Sequence, residues 1–186
     1  MLRFDEAKAT EAAALILSLR GGQMHYMKLI KLLYLVDREA LSRWGIPVTT
    51  DTYVSMDHGP VVSAIYNLIR RVTKPTSWAE YISAPMGDCD KEVSLVNPVA
   101  KLKKLSRAEE KLIREIYEHY GRWNRYKLRD HVMHELPEWQ DPEGTSIPIS
   151  IADILSAQGE DPKEIAAIRR ELRRARASED MFASVL

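Results

Sequence analysis

The stretch that decides the fold is His25-Tyr26-Met27-Lys28-Leu29-Ile30-Lys31-Leu32-Leu33-Tyr34-Leu35-Val36-Asp37-Arg38-Glu39-Ala40-Leu41-Ser42-Arg43-Trp44, closed by Gly45. Met27, Ile30, Leu33, Tyr34, Val36 and Leu41 recur at helical spacing, and Leu29, Leu32 and Leu35 widen the apolar stripe around most of the circumference. A helix apolar on so many sides is surrounded by other elements rather than laid on a surface. His25 to Trp44 is therefore expected to be the central helix.

Upstream, Ala9, Ala12, Ala13, Ile16 and Leu19 predict a first helix from Asp5 to Leu19, with Gly21-Gly22 as its stop. Downstream, the Thr- and Val-rich run Thr49 to Met56 predicts a short strand. Gly59-Pro60 then punctuates the chain. Because proline lacks the N–H that a first helical turn leaves unpaired, a third helix is expected from Pro60 to about Val72. Tyr81 to Ala84 and Glu92 to Val96, set among prolines and glycine, read as a hairpin.

Ser106 and Glu109 form a capping box that starts a helix running to Tyr120, and Asn124 to His134 predicts another, broken by Pro137. Ile147-Pro148-Ile149-Ser150 leads into a short helix, Ile151 to Ala157, and Asp161-Pro162 opens the last one. After Ser178 the acidic and then apolar tail is expected to fray. The sum is a mainly α (α+β) fold: a compact domain of about six to seven helices with a small hairpin or short sheet. We divide it into a domain over 1–159 and an Arg-rich amphipathic helix with a short tail over 160–186.

Length and composition narrow the function. At 186 residues the chain can remove roughly 70% of its unfolded surface from water as one domain. Twenty-seven basic residues balance twenty-seven acidic ones, so no overall positive field draws in nucleic acid, and any such binding needs a local patch. One cysteine, Cys89, excludes an internal disulfide, and the acidic Met1-to-Glu6 start lacks an export signal. A cytoplasmic protein without a membrane span is expected.

Candidate chemistry is sparse. His131 and His134 are three apart on an expected helix, but no His-Glu-x-x-His accompanies them, and a structural role at the helix end outweighs metal binding. Asp57 and His58 precede Gly59-Pro60 at an expected helix start, where a turn role outweighs catalysis. Cys89 sits between Asp88 and Asp90, whose charges oppose thiolate formation. No phosphate-binding glycine loop or nucleophile elbow occurs. No catalytic residue, metal or cofactor is expected. In the last helix Arg169, Arg170, Arg173 and Arg174 lie among acidic residues without aromatic neighbours, a pattern of docking or solvation rather than nucleic-acid binding.

Three segments occur in order: Lys28-Leu29-Ile30-Lys31-Leu32-Leu33-Tyr34; Asp57-His58-Gly59-Pro60-Val61-Val62 with Tyr66; and His134-Glu135-Leu136-Pro137-Glu138-Trp139. Together they resemble the Panacea domain of the SocA-like antitoxins over roughly residues 9 to 157. Two positions depart from the family pattern, His58 where many members carry tyrosine and Met133 where threonine is frequent, and both bear on partner specificity.

The resemblance implies an antitoxin of a bacterial or phage toxin–antitoxin pair, often in prophage regions. It would neutralise a cognate protein toxin, encoded by the neighbouring gene, through direct contact. The SocA branch implies an alternative, a proteolytic adaptor handing its bound toxin to the ClpXP protease; a nucleic-acid-binding regulator or an enzyme sharing the fold is a further alternative. On this reading Lys28, Lys31, Tyr34, Asp57, His58, Gly59, Pro60, His134 and Trp139 are the candidate partner-binding residues. Core packing outweighs partner contact for the aromatic positions Tyr34, Tyr66 and Trp139, and partner contact is favoured for Lys31, Asp57, His58 and His134. Arg169, Arg170, Arg173 and Arg174 form a candidate second partner surface.

Overall fold

A computed structural model describes residues 2–85, 91–97 and 103–183. Helix α1 (Glu6–Arg20) is capped by the Asp5 carboxylate, which accepts from Lys8 N at 3.0 Å, and ends at Gly21, whose φ of 96° is left-handed. Strand β1 (Gln23–His25) leads directly into α2 (Tyr26–Trp44). Twelve residues of α2 are buried, Lys28, Lys31 and Asp37 among them, so α2 is the central helix that its breadth of apolar surface requires. It packs on α1 and on α5 (Arg107–Tyr120), which carries the expected capping box of Ser106 and Glu109.

Strands β2 (Tyr53–Met56) and β3 (Gly59–Val62) form an antiparallel hairpin, and β5 (Ile147–Ile149) joins the other side of β2 to give the order β3-β2-β5. The helix expected from Pro60 is thereby corrected. Residues 59–62 are a strand, and α3 (Ser63–Ile69) begins only after them. Proline is tolerated because β3 is an edge strand whose missing N–H breaks no ladder. The start of α3 has no cap of its own; the buried Asp51 carboxylate accepts from Ala64 N at 2.7 Å and Ile65 N at 3.0 Å instead. The expected strand from Thr49 thus begins only at Tyr53, its first residues being used for such caps.

The hairpin expected over 81–96 is corrected as well. Helix α4 (Ser77–Tyr81) buries Trp78, and the hairpin is reduced to one antiparallel bridge between Ile82 and Leu95, with Ser83 N donating to Ser94 O at 2.9 Å, Val96 N to Tyr81 O at 2.8 Å and Ser94 N to Ser83 Oγ at 3.0 Å. Strand β4 (Glu92–Ser94) takes its ladder from β1, with Gln23 opposite Ser94, Met24 opposite Val93 and His25 opposite Glu92. Helix α6 (Arg125–His131) stops three residues before the expected His134: Val132 leaves helical geometry and a 3-10 turn (Met133–Glu135) follows, with Met133 fully buried. Helix α7 (Ile151–Ala157) lies where expected, and α8 (Pro162–Ala183) continues past Ser178, where fraying was expected. Cys89 lies outside the described residues.

The fold class is thus mainly helical α+β, with eight helices and two small sheets among the described residues. Helix α8 packs on α7 through Leu172, which is 4% exposed, while Ile168 lies against Gly45. No described helix is long and apolar enough to cross a membrane.

Candidate partner-binding surface

Lys31 extends from α2 beneath the β2–β3 hairpin, and its Nζ donates to Pro60 O at 2.8 Å. With the side chain 1% exposed, desolvation lowers the amine from its ordinary 10.5 to about 7. Gly59 lies against it in the left-handed region, at φ 95°, and a Cβ there would stand 2.6 Å from Met133 Cβ and 3.3 Å from Lys31 Nζ. Glycine is therefore required twice over, by backbone conformation and by close approach. Lys28, one turn earlier, donates to Gly121 O at 2.5 Å and so fixes the corner between α5 and α6; burial, then the nearby Arg20, lowers it to about 8.

The third segment closes over the same helix. Glu138, 6% exposed, accepts from Tyr34 OH at 3.0 Å and from Arg38 Nε at 2.7 Å. Trp139 Nε1 donates to Met56 O at 3.0 Å, and its ring stacks on His134 at 4.3 Å between centroids. His134 Nε2 lies 3.2 Å from Asp57 O, a carbonyl acceptor, while Gly144 N donates to the Asp57 carboxylate at 3.0 Å. A separate buried carboxylate, Asp37, accepts from Thr49 N at 2.8 Å, from the Thr49 hydroxyl and from Tyr53 OH at 3.1 Å. Burial pushes Asp37 up to about 7 and Asp51 up to about 6.

The structure therefore brings most of the candidate residues together, but as a buried frame that holds α2, the hairpin and residues 134–139 in register. Lys28, Lys31, Tyr34, Gly59 and Pro60 are buried; His134 and Trp139 are half-buried; Asp57 and His58 are exposed at the hairpin tip. His131 ends α6, and among the described residues no group of three or more His, Cys, Asp or Glu side chains is arranged to hold a metal ion. Arg169, Arg170, Arg173 and Arg174 are exposed on α8, well apart in sequence from the frame.

Beside the hairpin tip opens a cleft of about 120 Å³, lined by Tyr26, Met27, Ile30, Met56, Val61 and Tyr66 with Lys31, Asp57 and His58. Its apolar walls and polar rim suit the anchoring of one protruding side chain. Sequence reasoning named Tyr66 and Glu138 within motifs but missed Tyr26 and the internal carboxylates Asp37 and Asp51. Asp37 carried little signal, because it heads the charged run Asp37-Arg38-Glu39 and so looks like part of a solvated face.

The motif residues of this mainly helical domain thus brace the β2–β3 hairpin beside a small cleft. The profile of the SocA-like antitoxins, Panacea domain, matches residues 29–140, more than half of the chain, and the protein belongs to that family. No curated protein and no solved structure matches it.

Proposed function

We propose that the protein is an antitoxin that neutralises a cognate protein toxin, the product of the neighbouring gene, by direct non-catalytic binding in the cytoplasm. Family membership is the observation that carries this reading. The geometry supports it: the buried polar groups of the motifs are committed to internal partners, and what remains at the surface is the hairpin tip, Asp57 and His58, and the cleft rim at Tyr26 and Tyr66. We assign toxin contact to that face, with Lys28, Lys31, Tyr34, Gly59, Pro60, His134 and Trp139 acting from beneath to hold it in shape.

The adaptor reading draws on a second surface. Helix α8 exposes Arg169, Arg170, Arg173 and Arg174, none of which has an ion-pair partner among the described residues, and ends with Met181 and Phe182 60% and 67% exposed. Such a surface could engage ClpXP while the hairpin face holds the toxin. Co-expression with the neighbouring gene's product separates the two. Growth rescue that persists in cells lacking ClpXP supports masking; rescue lost there, with the toxin level rising, supports the adaptor; no rescue in either host refutes the antitoxin reading.

A further inference from the structure

We propose that the cleft at the hairpin is one half of a docking surface whose other half is a cationic corner made by β1, the start of α2 and α6, and that the segment docking there is an acidic protein segment carrying an apolar anchor. This inference rests on the antitoxin reading and names the chemistry of the toxin face.

The corner is assembled from elements distant in sequence. His25 ends β1 and caps α2, its Nδ1 accepting from Met27 N at 3.2 Å. Burial lowers its pKa to about 4, helped by the nearby charges of Arg125 and Lys91, so the imidazole is neutral at pH 7 and the positive charge of the corner is that of Arg125 and Lys91. Its ring stacks on Tyr26 at 5.3 Å, Lys91 Nζ lies 6.0 Å from the centre of the Tyr26 ring, and Tyr26 meets Tyr66 at 6.4 Å. Tyr26 and Tyr66 are also walls of the apolar cleft, so cleft and corner are continuous.

On the α6 side the Arg125 guanidinium sits 4.4 Å over the ring of Tyr126, which is 51% exposed, and Nη2 donates to Tyr126 OH at 2.8 Å. Lys127 Nζ lies 4.0 Å over Trp123. These stacks hold the half-buried Arg125 and the exposed Lys127 in place before any partner arrives, which lowers the entropy lost when they pair with carboxylates. Lys28, by holding Gly121 O, ties this strip to α2.

The same stacks decide between an acidic protein and a nucleic acid. Cations already cover a face of Tyr126 and of Trp123, where bases would stack. The chain as a whole has no net charge to attract a polyanion from a distance. An acidic segment needs only the local cations, with an apolar residue for the cleft.

The test measures affinity of the purified full chain for the neighbouring gene's product at low and high salt, for wild type, for K91E/R125E, for Y126A, and for K163E at the start of α8 as control. Glutamate at position 125 lies in the first turn of α6, where a negative charge favours the helix, so the double variant is expected to fold; unfolding midpoints check this. The expected result is an affinity that weakens steeply with salt, a loss of roughly tenfold or more in K91E/R125E, a smaller loss in Y126A, and none in the α8 control. A salt-insensitive complex, or one untouched by K91E/R125E and Y126A, overturns this inference and leaves the antitoxin reading standing. Absence of any wild-type complex overturns both. Binding of a labelled single-stranded RNA that is lost in K91E/R125E, with toxin affinity unchanged, replaces the acidic protein by a nucleic acid.

Discussion

Replacing Lys31 by methionine isolates the thermodynamic character of the buried frame. The side chain keeps similar length and volume, loses the hydrogen bond to Pro60 O, and loses its titration. In the wild type, the folded amine titrates near 7 and the unfolded one near 10.5. Between these values the unfolded chain binds more protons than the native state, so stability rises with pH across that window; below it the full cost of the buried ammonium is present and no longer varies with pH. From about pH 7.5 to about pH 9.5 the expected contribution is about 2.7 kcal/mol, at 1.36 kcal/mol per pH unit. K31M lacks it, and Lys28, which titrates in the same region, is present in both proteins and cancels. Urea unfolding of the two proteins at both pH values supplies the assay. The free-energy difference between them should shift by about 2–3 kcal/mol in favour of wild type at the higher pH. An equal difference at both pH values refutes the claim that Lys31 is held as a desolvated amine.

Other perturbations probe the same frame. Gly59→Ala forces a Cβ to 2.6 Å from Met133 at a left-handed φ, and should cost about 2–3 kcal/mol in chemical unfolding; a cost below about 0.5 kcal/mol contradicts the close approach. Trp139→Phe keeps an aromatic ring on His134 but leaves Met56 O without its indole donor, and should cost about 1–2 kcal/mol. Asp37 titrates near 7 when folded, so the native state holds a proton that the unfolded chain releases above about 4, and stability falls as pH rises through that window. Asp37→Asn should flatten that fall in thermal unfolding scanned over pH, and an unchanged profile argues against a neutral buried acid. Neutralising Arg169, Arg170, Arg173 and Arg174 to glutamine should leave stability within about 0.5 kcal/mol, and if the adaptor reading holds it should abolish ClpXP-dependent toxin loss without weakening the complex. This variant is preferable to cutting the chain after Gly159, which would remove the buried Leu172.

The legible parts of the fold were those written in local pattern. The apolar circumference of α2 named the central helix, and Ser106 with Glu109 placed the start of α5, because periodicity and caps depend on neighbours within a turn. Gly59-Pro60 misled for the same reason. A helix-starting proline and an edge-strand proline look alike locally, and only pairing with β2 and the distant Asp51 cap distinguish them. The β1–β4 ladder was invisible because each strand is three residues long and draws its partner from elsewhere in the chain.

The site divided along a similar line. The motif residues were found in the sequence, but whether each faced inward was not. Lys31 could be assigned to the frame only once Pro60 O was seen above it, and Glu138 only once Tyr34 and Arg38 converged on it. The cationic corner was harder still. Lys91 and Arg125 come from segments with no shared pattern, brought to His25 by the β1–β4 pairing and by the Lys28 contact with Gly121.

The most direct measurement mixes the purified protein with the separately purified product of its neighbouring gene and determines the mass of the eluting species by light scattering coupled to size-exclusion chromatography. A defined complex with fixed stoichiometry, formed without nucleotide, metal or protease and accompanied by loss of the toxin's activity, is the predicted result. Two species eluting apart, with the toxin still active, would contradict neutralisation by direct contact.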